Sequence, residues 1–228
     1  MRIHNYGITL KRITQEDIEL LRQWRNAESV NRYMEYRDYI TPDMQQKWFN
    51  SINNYNNFYY LIIYKDDKIG VINEKNINRQ GDGTSESGLF IANEKYKKTH
   101  IPLLASLTLI EINFYILGGK ESYIRTLRDN KTAIEYNKTL GYELCEGQEN
   151  VENQKYRLTR ESFERATHKI RKAASRFSTS DYPNGYVLFE PHDYRLGIAQ
   201  EFEKIIENED LPVEVKSVSL PEGKLFYY

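Results

Sequence analysis

An α/β fold built on a mixed sheet with helices on its faces follows from three features of the sequence. Aromatic and β-branched runs alternate with amphipathic helical segments between residues 8 and 160. One strongly apolar helix stands near the middle of that stretch, at residues 102–117. The order of elements then reads β-α-α-β-β-β-α-β-α-β-β, which places helices against both strands and sheet faces.

The elements follow in order. Residues 7–13 alternate apolar and polar, as a half-buried first strand does. Thr14-Gln15-Glu16-Asp17 offers a capping hydroxyl with a carboxylate three residues on, and the helix it opens carries Ile18, Leu20, Leu21 and Trp24 on one side. Thr41-Pro42-Asp43 starts a second helix, with Thr as cap, Pro in the first turn and an acid beside it. Its apolar positions are Met44, Trp48, Phe49 and Ile52.

Phe58–Tyr64 is a strand by composition, residues 65–68 are a polar turn, and residues 69–73 return as a hairpin partner. The glycines of residues 79–84 mark a loop, and the short apolar run 88–92 reads as a central strand. The apolar helix 102–117 ends at Gly118-Gly119. A strand at 122–127, a helix at 131–140 stopped by Gly141, and closing strands at 142–145 and 155–159 complete the sheet.

A basic amphipathic helix occupies residues 162–174, and the Ser/Pro/Gly/Asn-rich stretch 175–185 reads as a linker. Beyond it, a strand at 186–189, a helix at 194–208, a strand at 213–220 and a last strand after the turn at 221–223 form a β-α-β-β unit. At roughly 100–200 residues per domain, the chain divides into a first domain over residues 1–175 and a small extension over 176–228. An extension of about 50 residues is marginal alone. The apolar face formed by Ile198, Phe202, Ile205 and Ile206 packs on the first domain or on a second copy of the chain, as in a homodimer.

Composition removes several function classes. With 32 basic and 33 acidic side chains, no general electrostatic ground for nucleic-acid binding exists. Cys145 is the single cysteine, so an internal disulfide and a multi-cysteine metal site are excluded. His4, His100, His168 and His192 are scattered without metal-ligand spacing, and no metal is expected. No run approaches the ~18–20 apolar residues of a membrane span, and the N-terminus has no apolar signal core. A cytoplasmic protein is the expectation.

Two segments resemble the GNAT superfamily of acyl-CoA-dependent N-acetyltransferases. Leu21-Arg22-Gln23-Trp24-Arg25-Asn26, followed by Val30, Met34, Ile40 and Gln46-Lys47-Trp48-Phe49, is similar to the branch that includes ribosomal-protein N-terminal acetyltransferases. It is more similar still to acetyltransferases of nucleotide-linked amino sugars. Asn130-x-x-Ala133-Ile134, ending in Leu140-Gly141-Tyr142, resembles the family's Asn…Ala…Leu-Gly-Phe segment. The resemblance covers residues 7–165 and implies a GNAT fold with acetyl-CoA as co-substrate.

A third family segment, Gln/Arg-x-x-Gly-x-Gly/Ala before the apolar helix, reads here Lys97-Lys98-Thr99-His100-Ile101-Pro102. His100 and Pro102 stand at the glycine positions. Glycines there let backbone amides and a helix N-terminus approach the pyrophosphate of coenzyme A. Pro102 removes one amide, while Lys97 and Lys98 offer point charges in compensation.

The resemblance implies a site as well. Acetyl transfer needs an unprotonated amine, a stabilised oxyanion and a proton for the leaving thiolate. Main chain of Phe90, Ile91 and Ala92 would pair with the pantetheine and face the thioester carbonyl. Lys97, Lys98, Thr99, His100, Ile101 and Asn130 complete the cofactor set. Glu86 and Glu74 are the candidate bases. The thiolate's acid is expected seven residues past Asn130, which is Asn137, so Tyr136 one position earlier is the nearest tyrosine. Trp24, Arg25, Asn26 and Met34 mark the acceptor edge, where an Arg suits a phosphate or carboxylate and aromatics suit a sugar or base. Three readings remain open: an acetyltransferase of a small-molecule amine such as a nucleotide-linked amino sugar, a non-catalytic module of the same fold, and an acetyltransferase of protein α-amines.

Overall fold

The computed structural model describes the chain apart from Arg79, Gln80, Thr179, Pro183 and Glu209. The expected loop 79–84 and linker 175–185 each include two of these positions, which lie outside the described residues.

The chain opens with β1 (Arg2–Asn5) and β2 (Ile8–Arg12), followed by a short 3-10 turn, α1 (Ile18–Asn26), α2 (Glu28–Asn31) and α3 (Pro42–Ile52). Next come β3 (Phe58–Tyr64), β4 (Asp67–Lys75), β5 (Thr84–Ile91), α4 (Glu94–Lys97) and α5 (Ile101–Tyr115). Then follow β6 (Glu121–Leu127), α6 (Lys131–Thr139), β7 (Glu143–Leu144), β8 (Asn153–Thr159) and α7 (Arg160–Ala174). The last part holds β9 (Tyr186–Phe189), α8 (Pro191–Arg195), α9 (Ile198–Asn208), β10 (Lys216–Leu220) and β11 (Gly223–Tyr227).

Among the described residues the strands make one 11-stranded mixed sheet, in the order β10-β11-β9-β1-β2-β3-β4-β5-β6-β8-β7. Its two faces are covered separately. Ile18 and Leu21 of α1 and Phe49 of α3 pack on Leu61 and Val71, making the smaller core. The larger core holds α5, whose residues from Leu104 to Tyr115 are all buried, with Ile134 of α6, Phe163 of α7 and Phe202 of α9. Helices therefore sit on both sides, as the element order predicts.

Three expectations are corrected. The residues before β2 form β1, joined to it by Tyr6 and Gly7, both left-handed at φ 50° and 72°. That is the hairpin geometry that matches strand twist. Arg2, His4 and Asn5 are too polar over so short a span to show alternation. The helix expected at 194–208 is two helices, because Gly197 at φ 74° turns the chain between α8 and α9. The strand expected from Val213 begins only at Lys216.

The C-terminal extension continues the sheet. β9 pairs antiparallel with β1, with Arg2 opposite Leu188 and His4 opposite Tyr186, and β11 then pairs with β9. The Phe202 ring of α9 lies 5.5 Å from that of Phe58 and 5.4 Å from that of Phe189, so both parts of the chain share one core. A buried carboxylate ties the same parts together. Glu111 of α5, 5% exposed, receives the hydroxyls of Tyr6 and Tyr228 and the Arg171 guanidinium of α7, the last at 3.4 Å.

Candidate active site

The sheet forks between β5 and β6. These strands pair in parallel over Thr84, Ser85 and Glu86, opposite Glu121, Ser122 and Tyr123. Beyond Glu86, β5 keeps its partner β4 as far as Ile91, while the ladder with β6 stops. Main-chain groups alternate sides along a strand. The Ala92 N–H bonds the Ile69 carbonyl at 2.8 Å, toward β4. By the same parity Phe90 and Gly88 face β4, and the N–H and C=O groups of Ile91 and Leu89 face the fork. Of the three residues expected to supply main chain, Ile91 is therefore the one directed there, and Ala92 spends its amide within the sheet.

Cross-strand register sets out the face under α1 and α3. Tyr59, Asn73 and Gly88 form one row across β3, β4 and β5, with Lys75 and Glu86 in the next row and Val71 and Phe90 on the other side. Trp24 lies edge-on to Phe90, with ring centroids 6.4 Å apart, and Trp48 lies edge-on to Tyr59 at 5.0 Å. Arg25, next to Trp24 on α1, comes within electrostatic range of Tyr59, and burial pulls its guanidinium below the ordinary value. Glu86 pairs with Lys75 at 2.7 Å on this face, both half-exposed.

Other expected acceptor residues have local duties. The Asn26 carboxamide clamps Ile40, donating to its carbonyl at 2.9 Å and accepting from its N–H at 2.8 Å, which fixes the loop between α2 and α3. Met34 lies in that loop, its carbonyl accepting from Arg37.

The turn before α5 departs from a glycine cradle. The Thr99 N–H bonds the Tyr96 carbonyl at 3.2 Å, the Ile101 N–H bonds Thr99 Oγ1 at 3.2 Å, and Pro102 has no N–H. Lys97 is drawn inward, bonding Ser29 O at 3.0 Å and pairing with Glu94, while Lys98 and His100 stay exposed. The His100 ring stacks on Phe177 from the segment after α7, centroids 5.1 Å apart. Asn130 caps α6, its Oδ1 accepting from the Ala133 N–H. The β5 edge therefore leaves the Ile91 and Leu89 main chain open at the fork, while the turn before α5 presents the exposed Lys98 and His100 side chains in place of most of the amides.

A model of the acetyltransferase (GNAT) domain matches residues 8–143, more than half of the chain. The chain belongs to the GNAT acetyltransferase family. Curated sequences contain no match to it. Solved GNAT structures share its fold at low identity. FdhC, described as a nucleotide-linked sugar GNAT, aligns at TM-score 0.62 and 20% identity, over 75% of this chain and 97% of its own. Aminoglycoside acetyltransferase AAC(6')-Ib in complex with coenzyme A aligns at 0.59 and 18%, over 69% and 98%. RimL, a ribosomal alpha-N-protein acetyltransferase in complex with coenzyme A, aligns at 0.57 and 14%, over 70% and 98%.

Within this GNAT domain the two expected carboxylates are on opposite faces. Glu74 points to the α5 side and is 3% exposed, accepting from Ser85 Oγ at 3.4 Å, so the sheet separates it from Trp24 and Arg25. Tyr136 bridges α5 and α6, its hydroxyl 2.7 Å from Ser106 Oγ and 2.9 Å from the Pro102 carbonyl. Those two bonds hold the buried hydroxyl against the first turns of α5.

Sequence reasoning missed the hydroxyls at the fork itself. Ser87 Oγ lies 2.8 Å from Ser122 Oγ, which lies 3.0 Å from the Tyr142 hydroxyl. Burial pushes the Tyr142 phenol up to about 12, so it stays protonated at neutral pH. The signal was present: Tyr142 replaces the aromatic hydrocarbon of the family segment with a phenol. Asn73 was missed too, because an isolated Asn in a strand carries no local pattern. Among the described residues no group of three metal-ligating side chains gathers, and no helix is long and apolar enough to cross a membrane.

Proposed function

We propose that this GNAT domain transfers an acetyl group from acetyl-CoA to a primary amine, the acceptor being a nucleotide-linked amino sugar. The observation that carries this reading is the fork beside Ile91 with Glu86 and an aromatic, arginine-bearing face beside it. Acetyl-CoA, when bound, supplies the activated acetyl group. The Ile91 and Leu89 main chain aligns it, and an amide there donates to the developing oxyanion. Glu86 takes the proton of the attacking amine, and Lys75, which now holds that carboxylate, yields its place to the incoming ammonium. The Ser87–Ser122–Tyr142 chain, in place of Tyr136, passes a proton toward the departing thiolate.

Trp24, Arg25, Trp48 and Tyr59 favour an acceptor with a flat or sugar face and an anion over a bare amine. A likeness in fold to a nucleotide-sugar GNAT supports this choice only by analogy. The test is a thiol-release assay with acetyl-CoA and three acceptor classes: UDP-linked amino sugars, aminoglycosides and N-terminal peptides. The reading expects the highest kcat/KM with the nucleotide-linked sugar. Preference for a peptide would move the assignment to protein α-amines. A second reading, a non-catalytic module, is favoured by the committed amides before α5, and it expects no thiol release with any acceptor.

A further inference from the structure

Most arginines held against the protein meet an acid, and buried Arg12, with no ion pair among the described residues, still donates to Asn53 Oδ1 at 2.9 Å. Arg22 faces Glu19, Arg157 faces Glu121, Arg165 faces Glu143 and Arg171 faces Glu111. Arg25 has no ion-pair or hydrogen-bond partner among the described residues, and its Nε is buried. Arg25 is half-buried, and the part of a guanidinium that is withdrawn from water without a partner carries a cost that an anion arriving with a ligand removes. Glu86, an acid on this face, is already paired with Lys75 at 2.7 Å.

The second observation lies on the sheet beneath. Asn73 Nδ2 is buried without a partner, and Asn73 stands directly between Tyr59 and Gly88 in the register. Gly88 makes room for it: a Cβ at Gly88 would lie 2.9 Å from Asn73 Oδ1. Arg25 and Asn73 come from different elements, and both leave an N–H donor unmet on the same face. Trp24, on Phe90, and Trp48, on Tyr59, border the same face.

We propose that Arg25 and Asn73 form the anion subsite of the acceptor pocket, and that the acceptor is an amine carried on a phosphate-bearing, nucleotide-type molecule. Arg25 takes the phosphate oxygens in its planar fork, and Asn73 donates to a neighbouring oxygen of the same ligand. The aromatic walls select a nucleotide over a simple carboxylate, since they offer ring faces for a base or sugar. This deepens the reading above of an amine acetylated on the α1 face.

The test uses ligand binding alone, so it is independent of acetyl-CoA. Trp24 and Trp48 are the two tryptophans of the chain and both border the subsite, which makes intrinsic fluorescence a local reporter. UDP is titrated into the full chain, then into Arg25→Gln, Arg25→Lys and Asn73→Ala, each checked for an unchanged melting transition. The expected result is saturable quenching by UDP that weakens with added salt. Arg25→Gln loses affinity by about tenfold or more, Arg25→Lys by less, and Asn73→Ala by several-fold. Inorganic pyrophosphate competes, while acetate and an acidic N-terminal peptide do not. Absence of UDP binding to the wild-type chain, equal affinity in Arg25→Gln, or better competition by the acidic peptide each overturns the proposal. If Arg25→Gln unfolds, equal UDP affinity in wild type and Arg25→Lys overturns it instead. Binding of UDP with no acetyl transfer in the thiol assay would leave the subsite standing and remove the catalytic reading.

Discussion

Single residues divide the labour of the site by which face of the sheet they reach. Glu86 lies beside Lys75 under α1, and Glu74 lies on the α5 side within hydrogen-bonding reach of Ser85. Glu86→Gln should lower kcat/KM by about 10²-fold, in the range that a positioned base contributes. It should leave stability within about 1 kcal/mol, because a half-exposed ion pair contributes little. Glu74→Gln should do the reverse, changing the rate only a few-fold while lowering the denaturation midpoint. Measuring both variants by initial rates and by urea melts separates the two roles, and equal rate losses would remove the assignment. At this scale the sequence was partly legible. Trp24 and Arg25 could be placed because the capping box at Thr14 and the helical spacing fix the register of α1. The faces of Glu74 and Glu86 could not, because β5 begins at Thr84, ahead of the apolar run from Gly88 that signals it. The hydrogen bonds that hold the Tyr136 hydroxyl come from a helix distant in sequence and leave no trace in its own segment.

At the scale of elements, close approaches hold the frame of the fork. Gly141 follows α6 at φ 98°, and a Cβ there would lie 2.5 Å from the Ser162 carbonyl of α7. Gly141→Ala therefore meets both a left-handed backbone and a main-chain collision, and should cost about 2 kcal/mol or more in a denaturant melt. A cost near zero would show that α6 and α7 can separate. Arg171 joins α7 to the buried Glu111 of α5. Arg171→Ala leaves that carboxylate facing two phenols without its cation, and should destabilise by about 3–5 kcal/mol. Replacing Glu111 by Gln in the same chain should recover part of the loss. Most elements were legible from composition and periodicity, β3 to the residue. β1 and the break between α8 and α9 were not, since a short polar strand is defined by its partners and Gly197 sits inside an otherwise helical pattern.

Across the whole molecule, buried phenols set the response to alkali. Burial holds Tyr142 and Tyr115 up to about 12, the second helped by Glu164, against 10.0 for an unperturbed tyrosine. Tyr6, Tyr136 and Tyr228 are raised further by the same cause, with the Glu111 charge adding to it for Tyr6 and Tyr228. Above pH 10 the unfolded chain loses these protons while the folded chain keeps them. Stability is thus fully present below about pH 10 and falls as the pH rises through 12, with each unit of difference equal to about 1.4 kcal/mol per group. Urea midpoints taken between pH 8 and pH 11 should be level at first and then decline. A level profile to pH 11 would contradict the burial of these rings. Because Tyr6, Glu111, Arg171 and Tyr228 belong to four separate parts of the chain, this decline should be one cooperative loss shared by the core and the extension.

Whether the chain holds acyl-CoA in the fork is the question on which the enzyme reading rests, because His100 and Pro102 replace glycines and the amides of Thr99 and Ile101 are already bonded. The direct measurement is the thermal unfolding midpoint of the full chain with increasing acetyl-CoA. Ligand at 100 times its Kd adds about 2.7 kcal/mol, so the account predicts a saturable rise that the α5-turn variant Lys98→Ala diminishes. An unchanged midpoint at millimolar acetyl-CoA would contradict it.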